Sequence, residues 1–290
     1  MALGSNHFDT TDSAMLIPSI WSSSVNDVFR ANLKAANFFE DWSSDVAEGG
    51  DIIYMPNITQ LTATSKSAAT EVTLSDNTDS KITLTINQHY HCAFIIEDAV
   101  GSKFKTSYKA QSLYAENAGY AVAYQLEVAL LNLCRGFSQT VGSSTADLAD
   151  SNIRRAIEYL DTANVPQTDR AFFLHPHITW YLAGIDRFSV LQNTGAADPL
   201  KNKFGTLYGI PVMQTTSLSV YLGHRDGMLA HKSALAFAIA NPSGMGGANK
   251  VRLQSSYILE HLGTLVVADL LFGVIENRDT AGVWLKAKSN

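Results

Sequence analysis

The run KITLTINQHYHCAFIIE, residues 81–97, alternates between two kinds of side chain. Ile82, Leu84, Ile86, Tyr90, Cys92, Phe94 and Ile96 share one face, and Lys81, Thr83, Thr85, Asn87, His89 and His91 share the other. A period of two is the signature of a β-strand, and at about 3.3 Å per residue this one would extend roughly 50 Å. Strands in compact domains average about 5–6 residues. A strand this long outruns one core, and its outer part needs a neighbour to lie on. The pattern therefore predicts a protein that contacts copies of itself.

The preceding segment DIIYMPNI, from Asp51, reads as the outgoing strand of the same hairpin. Between the two lies TQLTATSKSAATEVTLSDNTDS, rich in Thr, Ser and Ala and free of Gly and Pro. Thr and Val favour extended backbone, and the lack of aromatics argues against a local core. The whole reads as a long two-stranded hairpin with a soft, polar tip. An isolated hairpin is marginal in water, so docking has to stabilise it.

On either side the periodicity changes to helical. Upstream, Trp21, Val25, Val28, Phe29, Leu33, Phe38 and Phe39 recur at roughly helical spacing until Gly49-Gly50 stops the segment. Glu40, Asp41, Asp45 and Glu48 bunch at its end, as a solvated face or an intersubunit patch. Residues 1–15 are polar and expected to be mobile or ordered only on a neighbour. Downstream, the Ala-rich, Pro-free stretch from Thr106 to Cys134 predicts a helix of about 40–45 Å. Tyr108, Ala115, Ala118, Val122, Leu126, Ala129 and Leu133 trace its apolar stripe, and Ala118, Gly119 and Ala121 permit close backbone approach.

The remainder is mixed. SNIRRAIEYLDTAN predicts a helix capped by Ser151, and RAFFLHPHITWYLAG a strand followed by a helix starting near Pro176. FGTLYGIPVMQTTSL, GMLAHKSALAFAIA, SSYILEHLGTLVVADLLFGVIEN and AGVWLKAK read as strands, and NPSGMGGANK as a flexible loop. Without regular β-α alternation, the fold class is α+β.

Length and charge narrow the function. At 290 residues the chain can bury a substantial core, in one large domain or two intimate ones. A net charge of −6 gives no support for a grip on nucleic acid, which needs clustered Lys and Arg. No apolar run reaches a membrane span, and Leu262–Ile275, interrupted by Asp269, reads as buried strand. Cys92 and Cys134 have the spacing of neither a metal site nor a disulfide framework. His89 and His91 could chelate a metal from one strand face, but no third ligand lies nearby in sequence. His175 and His177 sit at a helix start, where capping is the ordinary role. GMGGAN lacks the Lys-Ser/Thr of a phosphate loop, EHLG lacks the second His of a zincin, and no G-x-S-x-G elbow occurs. No catalytic residue, metal or cofactor is expected.

The order of these parts resembles the major capsid protein of tailed double-stranded DNA bacteriophages, the Hong Kong 97-type shell fold. LIPSIWSSSVNDVFRANLKAANFF resembles the N-arm, EGGDIIYMPNI the start of the extended loop, and LTINQHYHCAFIIEDA its return strand running into the spine helix. AFFLHPHITWYL, FGTLYGIPVMQTTSL, LAHKSALAFAIA and DLLFGVIENRDTAGVWL resemble the core series and the closing strands. The likeness covers about residues 16–287 and lies in the ordered set, since no single motif is specific.

The resemblance implies an N-terminal arm at 1–48 and an extended loop at 49–97. A peripheral domain with the spine helix follows at 98–141. The axial domain and intervening core elements occupy 142–262, and peripheral C-terminal strands 263–290. It implies subunit contacts through the loop tip and N-arm, at Thr64, Lys66, Thr70, Glu71, Asn77, Trp21, Phe29 and Phe38, and hinges at Gly49, Gly50 and Gly101. Copies would form pentamers and hexamers of an icosahedral shell in the virion. The shell would assemble in the host cytoplasm and enclose double-stranded DNA without sequence-specific binding. A separate scaffolding protein is expected, because the chain begins close to the N-arm, as are a portal and a decoration protein, with no membrane. Some relatives cross-link through a loop Lys and a neighbour's Asn; Lys66 lies near the tip, where a solvated Lys is the ordinary case. The alternatives are an encapsulin-like nanocompartment enclosing protein cargo, or a metal-dependent enzyme built on His89 and His91 with His175 and His177.

Overall fold

A computed structural model describes residues 33–46, 50–58, 61–72, 74, 79–97, 110–185, 205–240 and 251–289. The first described element is a single turn, α1 (Ala35–Phe38), which goes at once into β1 (Glu40–Asp41) and a 3-10 turn at Ser43–Val46. The expected helix therefore stops at Phe38 within the described residues. Glu40 and Asp41 pair in parallel with Ala236 and Phe237, and this ladder ends the helical period. The hairpin strands are β2 (Ile52–Asn57) and β3 (Ser80–Thr85), followed by β4 (Gln88–Glu97). The long helix α2 (Ala110–Asn132) tightens into a 3-10 turn at Leu133–Gly136.

Next come β5 (Thr140–Gly142), α3 (Asp150–Thr162), β6 (Arg170–Leu174) and α4 (Pro176–Ala183). Ser151 is not the cap of α3. Ala149 holds that position without a side-chain bond, and Asp150 in the first turn pairs with Arg154 at 3.0 Å. An acidic residue there also complements the helix dipole. Short strands β7 (Thr206–Leu207), β8 (Ile210–Gln214) and β9 (Val220–Tyr221) lead into β10 (His224–His231), then a 3-10 turn at Lys232–Ala234 and β11 (Leu235–Ala240). The chain closes with β12 (Arg252–Ile258), β13 (Gly263–Glu276), a 3-10 turn at Asp279–Ala281 and β14 (Gly282–Lys288). The glycine-rich loop predicted over 241–250 lies outside the described residues.

The strands form two sheets and a ribbon. One sheet runs β1-β11-β13-β12 with β4 along the other edge of β13, the second runs β5-β14-β10-β6-β8-β7 with β9 on β10, and β2-β3 stands as a two-stranded ribbon. Each sheet draws strands from several of the expected segments. Residues 142–262 supply β6–β10 to the second sheet but β11 and β12 to the first, and residues 263–290 are divided, β13 in the first and β14 in the second. Local hydrophobicity is satisfied equally by either sheet, so only the pairing of β14 with β10 and β5 decides where it lies.

The predicted continuous strand is broken at Ile86-Asn87. β4 pairs along β13 from Glu97↔Gly263 to Gln88↔Phe272, after which β3 leaves to pair with β2. The Ile86 amide donates to the Asp51 carbonyl at 2.8 Å, which starts the ribbon. The crossing is possible because residue 273 is glycine; a Cβ there would overlap the Thr85 carbonyl oxygen.

One core joins the two sheets. Ala118, Val122, Leu126 and Leu130 of the long helix, with Cys134 of the 3-10 turn that follows it, pack with Phe39, Phe173, Met228, Leu270, Phe272 and Trp284. The apolar stripe therefore continues through Leu130 and Cys134, while Ala129 and Leu133 are half-buried. Leu131 and Glu127 are buried as well, so the helix is covered on more than one flank. On the far face of the second sheet, α3 and α4 seal a separate cluster around Ile153, Leu160, Phe172, Leu174, Ile178 and Leu285. β6 is thus buried on both faces, which explains its unbroken apolar run.

Candidate subunit-contact surfaces

The ribbon divides into a seated base and an unsupported outer part. At the base, Ile53, Met55, Leu84 and Ile86 form a core with Val46, Ala236, Ala238 and Ala240, so the inward face rests on β11 of its own subunit. Its opposite face carries Ile52 and Tyr54, the latter 57% exposed with the Lys81 ammonium 4.2 Å above its ring. Beyond the Asn57↔Ser80 pair, every described residue to Asp79 is exposed. Four are large and apolar: Ile58, Leu61, Val72 and Leu74, the last 88% exposed. Pro56 fits this edge, where a missing N–H leaves no ladder position unfilled.

The predicted tip residues Thr64, Lys66, Thr70 and Glu71 all sit exposed on this segment. Thr70 closes a local turn, its hydroxyl donating to the Ser67 carbonyl at 2.8 Å, with Ala69 at φ 64°. Asn77, Trp21, Phe29, Gly49 and Gly101 lie outside the described residues. Phe38, expected at a subunit contact, packs inside its own chain, its ring edge-on to Phe39 at 5.2 Å and to Phe173 at 5.5 Å. Gly50 holds φ 129°, a conformation side chains rarely adopt, at the start of the ribbon.

Further bulky apolar residues stand on hairpin turns and on α4. Leu222 between β9 and β10 is 78% exposed at φ 46°, and Leu262 between β12 and β13 is 62% exposed at φ 43°. Trp180 on α4 is 75% exposed. Exposed aromatic and aliphatic residues at the tips of a large fold are the usual material of protein contacts.

The arm's root is fixed by a residue that sequence reasoning missed. Glu127, buried on α2, accepts the Lys34 amide at 3.0 Å and the Ala35 amide at 2.8 Å, and so caps α1. Burial pushes its carboxyl above the ordinary range, opposed by these backbone donors. The available signal was one carboxylate in the otherwise uncharged run from Val122 to Cys134.

The histidines do not converge. His89 binds Asp269 at 3.1 Å, and Arg252 holds the same carboxylate with two bonds of 2.8 and 2.6 Å, all on the first sheet. His175 belongs to the second sheet's layer, where its Nδ1 caps α4 by accepting the His177 amide at 3.1 Å. Among the described residues no group of three or more His, Cys, Asp or Glu could hold a metal. No described helix is long and apolar enough to cross a membrane.

No protein-family model matches the sequence. No curated protein matches it either. Solved structures do. One from Mycobacterium phage Che8 matches with TM-score 0.78 at 18% identity over 93% of this chain and 96% of its own. The capsid structure of the cyanophage P-SCSP1u matches at 0.76 and 15%, over 99% and 97%. The asymmetric unit of the bacteriophage PhiM1 mature capsid matches at 0.73 and 11%, over 93% and 91%. The fold is the Hong Kong 97-type shell fold.

Proposed function

We propose that this chain is a major capsid subunit that self-assembles into the icosahedral shell of a tailed phage or phage-like particle. The observation that carries it is the likeness to capsid structures over nearly the whole chain, combined with a ribbon whose described outer residues are all exposed. A thin shell cannot rely on one round core. It needs extended elements that bury area between copies, and a standard contact takes about 800 Å² from each partner. Ile58, Leu61, Val72 and Leu74 supply apolar area for this, each contributing up to about 1.5–3 kcal/mol when fully buried.

On this proposal the sheet carrying α2 and β13 is the peripheral region, and the sheet carrying α3, α4 and β10 is the axial region that meets at capsomer centres. A net charge of −6 suits a shell that encloses DNA without gripping it. A scaffolding protein, a portal and a decoration protein are proposed on the resemblance alone. Gly50 would act as the hinge of the arm. Proline at that position should block assembly or expansion of the shell; particles that assemble and expand normally would remove the hinge.

Expression of the chain alone and with its genomic neighbours, followed by negative-stain electron microscopy, tests the proposal. Hollow polyhedra or tubes are expected, and a uniformly small soluble species would overturn it. Nucleic acid inside native particles distinguishes a capsid from a nanocompartment loaded with protein.

A further inference from the structure

Four arginines of the described chain end on aspartates: Arg135 on Asp226, Arg154 on Asp150, Arg170 on Asp161 and Arg252 on Asp269. Arg225, on β10, does not. Its Nε is buried without a hydrogen-bond partner. Among the described residues its one hydrogen-bonding contact is with a ring, Nη1 lying 3.3 Å from Nε2 of His175. Asp226, next along the strand, points to the opposite face, where Arg135 and the Trp284 indole hold it. Arg225 shares the parity of Leu229, which belongs to the cluster sealed by α3 and α4, so its side chain extends on the α4 side of the sheet. There β6 ends. Leu174 pairs with Gly227, and His175 turns the chain into α4.

The His175 ring cannot complete this contact as an acceptor. Its Nδ1 already accepts the His177 amide at 3.1 Å and so carries no hydrogen. Burial, the Arg225 charge and His177 together hold the ring below the ordinary histidine range, in keeping with a neutral imidazole. A neutral imidazole has one acceptor nitrogen and one N–H, so the hydrogen is on Nε2. Nε2–H and the Arg225 Nη1 group are then two donors facing each other. Only a third atom that accepts from each can satisfy both.

We propose that Arg225 and His175 form an oxyanion-binding site at the corner where β10 meets the start of α4, one oxygen of a phosphate or carboxylate accepting from both Arg225 Nη1 and His175 Nε2. The charge selects an anion over a neutral acceptor, because the guanidinium has no acidic partner among the described residues. Hydrogen bonds between a guanidinium and an oxyanion are among the stronger ones, and the planar fork suits carboxylate and phosphate alike. His175 is preorganised for the task, since capping α4 fixes both its ring and its tautomer. Both side chains are half-buried, so the site keeps an open side. The oxygen comes either from free phosphate or from an acidic side chain of a second copy. The inference stands on the single subunit and does not depend on the shell function.

Inorganic phosphate, titrated into the full chain at constant ionic strength, is the probe. The His175 ring signals, followed by NMR with isotope-labelled histidine, should show the Nε2–H form and move saturably with phosphate; this measurement needs no variant. The melting temperature should rise by about 2 °C or more at millimolar phosphate, and chloride should do neither. Arg225→Gln removes the charge and should abolish the thermal shift, whereas Arg225→Lys should keep part of it. Sedimentation in phosphate-free buffer identifies the source. If a second copy supplies the oxygen, the native chain should self-associate several-fold more strongly than Arg225→Gln, and phosphate should weaken that association. If free phosphate is the ligand, the two proteins should associate equally. The proposal is overturned if phosphate moves neither the ring signals nor the melting temperature, if Arg225→Gln retains the native thermal shift, or if the His175 ring carries its hydrogen on Nδ1.

Discussion

Glu127 and Ala35 are joined by a 2.8 Å hydrogen bond from the Ala35 amide to the buried Glu127 carboxylate, which anchors the start of the described chain to the long helix. The same carboxylate takes the Lys34 amide, and the Lys34 ammonium reaches the Gln214 carbonyl on β8 at 2.8 Å. One helix residue thus positions the N-terminal segment against both sheets.

Glu127→Ala should lower the stability of the subunit by about 1–3 kcal/mol, because two amides lose a charged acceptor. Exchange of the amides at 34–36 should rise more than that of β6. Chemical denaturation and exchange mass spectrometry check both. An unchanged midpoint would mean that water replaces the carboxylate without cost.

The arm's base and outer part should respond in opposite ways. Leu84 is fully buried at the base, so Leu84→Ala should cost about 2–5 kcal/mol in the isolated subunit. Leu61→Asp and Leu74→Asp alter exposed residues and should leave subunit stability within about 0.5 kcal/mol, yet prevent assembly. Thermal melts and particle yield by sedimentation separate the two classes. Particles at native yield from the double Asp variant would show that the tip does not contact a neighbour.

Leu222 and Leu262 combine positive φ with high exposure, so the isolated subunit gains nothing from their side chains. Glycine at either position relieves a conformation that costs a β-carbon-bearing residue about 1 kcal/mol or more. Leu222→Gly and Leu262→Gly should therefore raise the melting temperature of the subunit. If the turns serve as contacts, the same variants should assemble at higher critical concentration. A gain in stability with no loss in assembly would assign the leucines no contact role.

Much of this was legible locally. The alternation over 81–97 picked out Ile82, Leu84, Ile86, Cys92, Phe94 and Ile96, all buried or half-buried, though Ile82, Leu84 and Ile86 pack in the ribbon cluster and Cys92 and Phe94 against the main core. Tyr90, on the same parity, is 42% exposed although its ring stacks on Phe272. The break at Ile86-Asn87 was not legible, because it depends on Gly273, remote in sequence. The exposure of Thr64, Lys66, Thr70 and Glu71 followed from composition alone. The packing of Phe38 within its own chain was not legible, because an aromatic pair at 38–39 offers no local hint that Phe173 awaits both rings. The role of Glu127 depended on a backbone segment that only tertiary packing delivers.

Asp269 makes the last prediction, and its sign is fixed by geometry. Arg252 binds it at 2.8 and 2.6 Å and holds its carboxyl below the ordinary aspartate range, against the opposing effect of burial, with His89 assisting. The folded state therefore releases this proton more readily than the unfolded chain. Its contribution is complete above the ordinary aspartate range and is lost as pH falls through and below 3.8. Asp269→Asn should cost about 1–3 kcal/mol at neutral pH, since Arg252 loses a charged partner. It should cost progressively less on acidification, so the acid limb of stability becomes shallower. Denaturation midpoints of both proteins between pH 2.5 and 7 test this; parallel curves would show that Asp269 titrates alike folded and unfolded.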